Sequence, residues 1–184
     1  MKNKALCVYC GSSPGTNGRY VKEAEELGKL MAESAIDLVY GGASIGVMGA
    51  LANSVLRHGG NVYGAMPKHL VDREVAHPGL TKLFVTNSMH ERKALMANLS
   101  DGFVALPGGF GTLEELFEAI TWSQLQMHHK PVLLLNTDHF YDTLIAFMQE
   151  LTEKGFVRPQ HQDISIVTKT PKELIEYFLD NSFK

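Results

Sequence analysis

Phe103-Val104-Ala105-Leu106-Pro107-Gly108-Gly109-Phe110-Gly111-Thr112-Leu113-Glu114-Glu115 runs from four consecutive apolar residues, through three glycines, into a segment of helical length. An apolar run without polar alternation is buried on both faces, as strands are in a parallel sheet covered by helices. The stretch therefore reads as strand, glycine-rich turn and helix, one βα unit. Outward from it, strands are predicted over 4–9, 36–40, 61–66, 80–85, 101–106, 131–135 and 164–168. Helices are predicted over 19–34, 47–58, 88–99, 112–127, 139–154 and 171–180, with joints rich in Gly, Ser and Pro. This alternation predicts an α/β fold, a single domain over 1–184 with a doubly wound, mainly parallel sheet flanked by helices.

In such folds ligands bind beyond the carboxyl ends of the strands, so each strand-to-helix joint is a candidate site. At Pro107-Gly108-Gly109-Phe110-Gly111-Thr112 the glycines let a ligand approach the backbone, and the following helix offers unpaired N–H groups and partial positive charge. That suits a phosphate. The loop is not a Walker motif, because no Gly-Lys-Ser/Thr follows, and Glu114 stands where a dinucleotide fingerprint needs its third glycine. Thr112-x-x-Glu115 has the form of a capping box, repeated at Thr170-x-x-Glu173, and spacing alone favours that structural role. A carboxylate directly above an anion cradle also points to a part of the ligand that needs a base or a charge stabiliser; the two readings stay open together.

A second joint, Ser88-Met89-His90-Glu91-Arg92-Lys93, opens with a Ser88–Glu91 capping box and then places two cations where the helix dipole disfavours them. They are either solvated surface charge or the partners of a phosphate or carboxylate. Arg92 offers a fork of donors but cannot give up a proton. Two further glycine-rich joints, Gly11-Ser12-Ser13-Pro14-Gly15 and Gly41 to Gly49, add backbone donors along the same edge. The longest irregular stretch, Pro67 to Gly79, carries Lys68, Asp72, Arg73 and Glu74 and has the length of a functional loop.

Composition narrows the classes. Seventeen Lys and Arg against twenty Asp and Glu leave a net charge of −3, without the basic excess of a nucleic-acid footprint. The longest aliphatic run is Val132–Leu135, far short of the ~20 residues of a membrane span. The first residues lack the apolar core of a signal peptide, so a cytoplasmic protein is expected, with no membrane or nucleic-acid partner. Cys7 and Cys10 are three apart in a predicted strand and so point to opposite faces, which predicts two unlinked, reduced thiols. The eight His residues show no metal-ligand spacing, and no catalytic metal is expected.

Pro107 to Glu115 matches the P-G-G-x-G-T-x-x-E signature of the LONELY GUY (LOG) family, and Met89-His90-Glu91-Arg92-Lys93 matches its second signature. Tyr9 to Ser13, Tyr40 to Gly49 and Thr121-Trp122 extend the resemblance over most of the chain. Ala43 departs from it, standing where the family often has a third glycine. The resemblance implies a Rossmann-like fold, a homodimer and no cofactor. It also implies hydrolysis of cytokinin riboside 5'-monophosphate, and in many members AMP, to free base and ribose 5-phosphate. Arg92 and Glu115 would be the catalytic pair. Glu74, Lys93, Thr121 and the run Gly108, Gly109, Phe110, Gly111, Thr112, Leu113 and Glu114 would bind the purine nucleoside 5'-monophosphate, with Gly11, Ser12, Gly42 and Met89 as further binding candidates. Members are often labelled lysine decarboxylases, but no pyridoxal-phosphate pattern is present.

The implied chemistry suits these residue types: breaking an N-glycosidic bond builds positive charge on the ribose, which a carboxylate stabilises more than it stabilises the substrate. A nucleotide or cofactor carrier on the same fold is the alternative; a deoxyribosyltransferase is a third. Apolar residues on helix 88–99 (Met89, Leu95, Met96, Leu99) and helix 47–58 (Val47, Met48, Leu51, Val55, Leu56) are expected to form the homodimer surface, the alternative being that both helices pack on their own sheet.

Overall fold

A computed structural model describes residues 3–71 and 76–180. Seven strands, β1 (Lys4–Tyr9), β2 (Ile36–Tyr40), β3 (Val62–Pro67), β4 (Lys82–Thr86), β5 (Gly102–Ala105), β6 (Val132–Leu135) and β7 (Ser165–Thr168), form one sheet in the order β4-β3-β2-β1-β5-β6-β7. All six pairings are parallel. The helices are α1 (Gly18–Glu33), α2 (Gly46–Arg57), the single turn α3 (Lys68–Val71), α4 (Met89–Leu99), α5 (Phe110–Gln124), α6 (Asp142–Glu153) and α7 (Pro171–Leu179). The expected doubly wound α/β architecture is present.

Strand alternation sends one set of residues to each face. Leu6, Leu38, Val104 and Leu133 pack under α1, α2 and α7, whereas Cys7, Val39, Phe103 and Leu134 pack under α4, α5 and the start of α6. Cys7 and Cys10 fall in these two separate cores as free, buried thiols. Burial pushes the Cys7 thiol up to about 12, so it stays protonated.

The strand order reverses between β1 and β5. Their carboxyl ends are tied by Leu106 N–H to Tyr9 O at 2.9 Å and Gly11 N–H to Pro107 O at 3.3 Å. The loops then diverge to opposite faces of the sheet, which opens a crevice at this switch point. Tyr141 closes the β6 side, donating its buried hydroxyl to Leu106 O at 2.7 Å.

Three expectations are corrected. The helix expected from Thr112 begins at Phe110, with Gly109 as its N-cap. Thr112 therefore lies inside the first turn, and Glu115 cannot close a box with it. The true boxes are elsewhere: Ser88 Oγ accepts from Glu91 N–H at 3.1 Å and Thr170 Oγ1 from Glu173 N–H at 3.2 Å. The helix expected from residue 139 begins at Asp142, because Thr137–His139 forms a 3-10 turn in which Asp138 and His139 both take positive φ. Finally, α2 buries Val47, Leu51 and Val55 within its own chain, so it does not supply the apolar surface assigned to a dimer.

Candidate active site

The glycines of the Pro107–Thr112 turn differ in what they permit. A Cβ on Gly108 would lie 2.1 Å from Thr112 Oγ1, so packing within the chain demands glycine there. A Cβ on Gly109 or Gly111 would meet nothing within 4 Å, and Gly109 has φ −94°, open to any residue. The fold does not need glycine at these two positions, and their bare backbone leaves the turn open to a close-approaching group. No side chain caps α5, so the N–H groups of Phe110, Gly111 and Thr112 have no intrahelical acceptor and face this opening.

One turn further along α5, Glu115 is 7% exposed. Its Oε1 accepts from Arg92 Nη1 at 3.0 Å, and Arg92, 8% exposed, also donates from Nε to Ala65 O at 3.0 Å. Gly41 makes room for the guanidinium, since a Cβ there would lie 2.5 Å from Nη2. Burial pushes the Glu115 carboxyl above its usual range; the Arg92 charge pulls it back only in part.

A cavity of about 290 Å³ opens on this pair. Arg92, Glu115 and Thr112 form its polar wall, Gly11, Ser12, Gly109 and Gly111 its rim, and Met89 and Phe110 part of its apolar lining. Phe110 is 92% exposed at the mouth. Behind the ridge made by Gly11, Ser12 and Gly109 lies a second hollow of about 250 Å³, lined by Gly108, Pro14, Tyr20, Val47 and Phe140. The rings of Tyr20 and Phe140 meet edge to face at 5.7 Å between centroids.

Other predicted residues are placed differently. Lys93 pairs with Glu114 and with Glu118, the latter at 2.9 Å. Burial lowers its affinity for a proton, but the two carboxylates outweigh that and hold the ammonium above its usual range. Leu113 packs against the core. Gly42 takes a left-handed φ of 88° and accepts from His77 N–H at 2.9 Å, behind the cavity rather than in it. Ala43 is fully buried and accepts from the Tyr40 hydroxyl at 3.0 Å, so the turn closes with an alanine. Thr121 is exposed, nine residues down α5 from Thr112, about 14 Å along the axis. Glu74 lies outside the described residues. Leu70, which lines the cavity, and Tyr20 and Phe140 behind it escaped the sequence reading, because each arrives from an element remote in the chain; Met48, expected on the dimer surface, also lines the cavity.

Among the described residues no helix is long and apolar enough to cross a membrane. Residues 48–178 match the protein family described as possible lysine decarboxylase. Cytokinin riboside 5'-monophosphate phosphoribohydrolase LOG of Oryza sativa subsp. japonica is 48% identical over 172 residues, 94% of this chain and 71% of the rice protein. The phosphoribohydrolase of Rhodococcoides fascians is 47% identical, covering 90% of this chain and 84% of its own length. Among solved structures, the Moco carrier protein of Chlamydomonas reinhardtii superposes with a TM-score of 0.71 at 23% identity, over 95% of this chain and 94% of the carrier, a likeness of fold alone. On the extent of the family match and on these identities, the chain belongs to the possible lysine decarboxylase family, among relatives named as LOG phosphoribohydrolases.

Proposed function

We propose that this chain hydrolyses the N-glycosidic bond of a purine nucleoside 5'-monophosphate, cytokinin riboside 5'-monophosphate and AMP alike, to free base and ribose 5-phosphate. The observation that carries this reading is the offset between the open glycines at the start of α5, Gly109 and Gly111, and Glu115 further along it, about 6 Å along the helix axis from Gly111. A 5'-phosphate on the N–H groups of that turn sets the ribose, and its C1', before the carboxylate. Homologues named as cytokinin riboside 5'-monophosphate phosphoribohydrolases, at 45 to 48% identity, support the reaction on that substrate.

Water attacks C1' as the bond to the base nitrogen breaks; the departing base keeps the electron pair and takes up a proton from solvent, while the proton lost by the water passes to Glu115 and on to solvent. In its ionised form the buried Glu115 carboxylate stabilises the positive charge on the ribose in a medium where such attraction is strong. Its raised affinity for a proton also suits it to take one from the attacking water. Arg92, always charged, holds Glu115 in place. Lysine decarboxylation fits poorly, because Lys93, the lysine beside the pair, is committed to two carboxylates and is not free to form a Schiff base.

We place the enzyme in the cytoplasm as a homodimer, its exposed Phe110, Leu125 and Met127 belonging to a covered surface; a monomer at micromolar concentration in light scattering would exclude the dimer. Incubation with AMP, N6-isopentenyl-AMP and adenosine, followed by chromatography of bases and assay of ribose 5-phosphate, tests the activity. Both monophosphates should release base, and adenosine at least tenfold more slowly, since each lost charge-assisted contact costs about 1.5 to 3 kcal/mol. Binding without release would indicate a carrier; release only with an added base, a transferase.

A further inference from the structure

Next to the Arg92–Glu115 pair, the adjacent residues of the same two helices make a second link. Lys93, 9% exposed, sits between Glu114 and Glu118, with Nζ 2.9 Å from Glu118 Oε1. Two consecutive cations of α4 thus meet three carboxylates of α5 that lie within five residues. Without Lys93, Glu118 and the more exposed Glu114 would repel each other and act unopposed on the buried Glu115. With it, the ammonium is already matched by carboxylates and is poorly placed to serve as a phosphate ligand.

We propose that Lys93 and Glu118 are positioning residues: a strut between α4 and α5 that keeps the Arg92 guanidinium on Glu115 and balances the charge around that carboxylate. The consequence for turnover rests on the phosphoribohydrolase reading; the strut itself does not. The groups facing Glu115 are Arg92 and Lys93 from α4, Glu114 and Glu118 on α5, and Cys7, Tyr9 and Cys10 from β1 and its end, which burial keeps protonated. Removing Lys93 withdraws a cation and exposes Glu115 to two unmatched anions, so ionisation becomes harder. Neutralising Glu118 withdraws an anion, so ionisation becomes easier. The two changes act in opposite directions, which loosened packing alone does not produce.

The test uses the full chain carrying Lys93→Met or Glu118→Gln. AMP turnover is measured against pH, and the Glu115 carboxyl is titrated by carbon-13 NMR, its resonance identified by loss in Glu115→Gln. In Lys93→Met the acid limb of kcat and the NMR midpoint should both rise by about one pH unit, with KM within about threefold; in Glu118→Gln both should fall by about half a unit. Midpoints unmoved in both variants would overturn the strut, as would a KM raised at least about tenfold in Lys93→Met with kcat and midpoint unchanged, which would make Lys93 a direct ligand of the nucleotide. If Lys93→Met does not fold, Glu118→Gln decides alone. Because the NMR titration needs no substrate, a wild-type chain that releases no base would sink the activity and leave the strut to be judged on its midpoints.

Discussion

Arg92 Nη1 and Glu115 Oε1 stand 3.0 Å apart across α4 and α5, with both residues less than 10% exposed. Desolvating two charges costs about as much as their attraction returns, so a pair of this kind contributes little net stability, while one partner left alone is expensive. Arg92→Met should therefore lower unfolding free energy by about 3 kcal/mol at neutral pH, read from urea denaturation. In that variant Glu115 keeps its burial and loses its cation, so its folded pKa lies further above the unfolded value. The folded state then binds the proton more readily, and part of the loss should return as the pH is lowered through the folded pKa.

The same burial sets the acid side of the wild-type activity profile. Desolvation holds the Glu115 carboxyl above the ordinary range near 4.3, and only the ionised form stabilises positive charge on the ribose. Turnover should fall with acidity at a pH clearly above that value, about tenfold per unit below the midpoint, and the limb should move higher still in Arg92→Met. A wild-type limb at the ordinary carboxylate value would contradict the burial argument.

Gly108 and Gly109 are neighbours in sequence with opposite reasons for lacking a side chain. Gly108→Ala would drive a Cβ to 2.1 Å from Thr112 Oγ1, and overpacking of this kind costs about 1 to 3 kcal/mol, visible as a lowered Tm. Gly109→Ala has open space and an ordinary φ, so Tm should hardly change. Its methyl group instead intrudes where the phosphate approaches, raising KM for AMP by about tenfold or more through loss of at least one charge-assisted hydrogen bond. Equal effects of the two substitutions on Tm and on KM would contradict the division of roles.

The parallel sheet was legible because its central strands are buried on both faces, and runs such as Phe103 to Leu106 say so without help from the rest of the chain. The start of α5 was not. Thr112 and Glu115 carry the same spacing as the genuine boxes at Ser88–Glu91 and Thr170–Glu173, but glycines precede them, and the backbone turns helical at Phe110 before Thr112 is reached. The apolar face of α2 suited either a second copy or the chain's own sheet, and it packs on the chain's own core. Arg92 and Lys93 announced themselves by opposing the helix dipole, but that their partners are Glu115, Glu114 and Glu118 follows only once α4 lies beside α5.

The central claim is that the Glu115 carboxylate acts on the reaction rather than on the helix, and turnover of AMP by Glu115→Gln tests it most directly. The amide oxygen of glutamine can still accept from Arg92, so Tm should stay close to wild type and AMP binding within severalfold. The charge is gone, so kcat should fall by at least about 10²-fold. Glu173→Gln serves as the control, since Glu173 closes a genuine box, accepting from Lys169 N–H at 2.7 Å, and kcat there should not change. Near-full turnover by Glu115→Gln would contradict the account and leave Glu115 as a structural partner of Arg92.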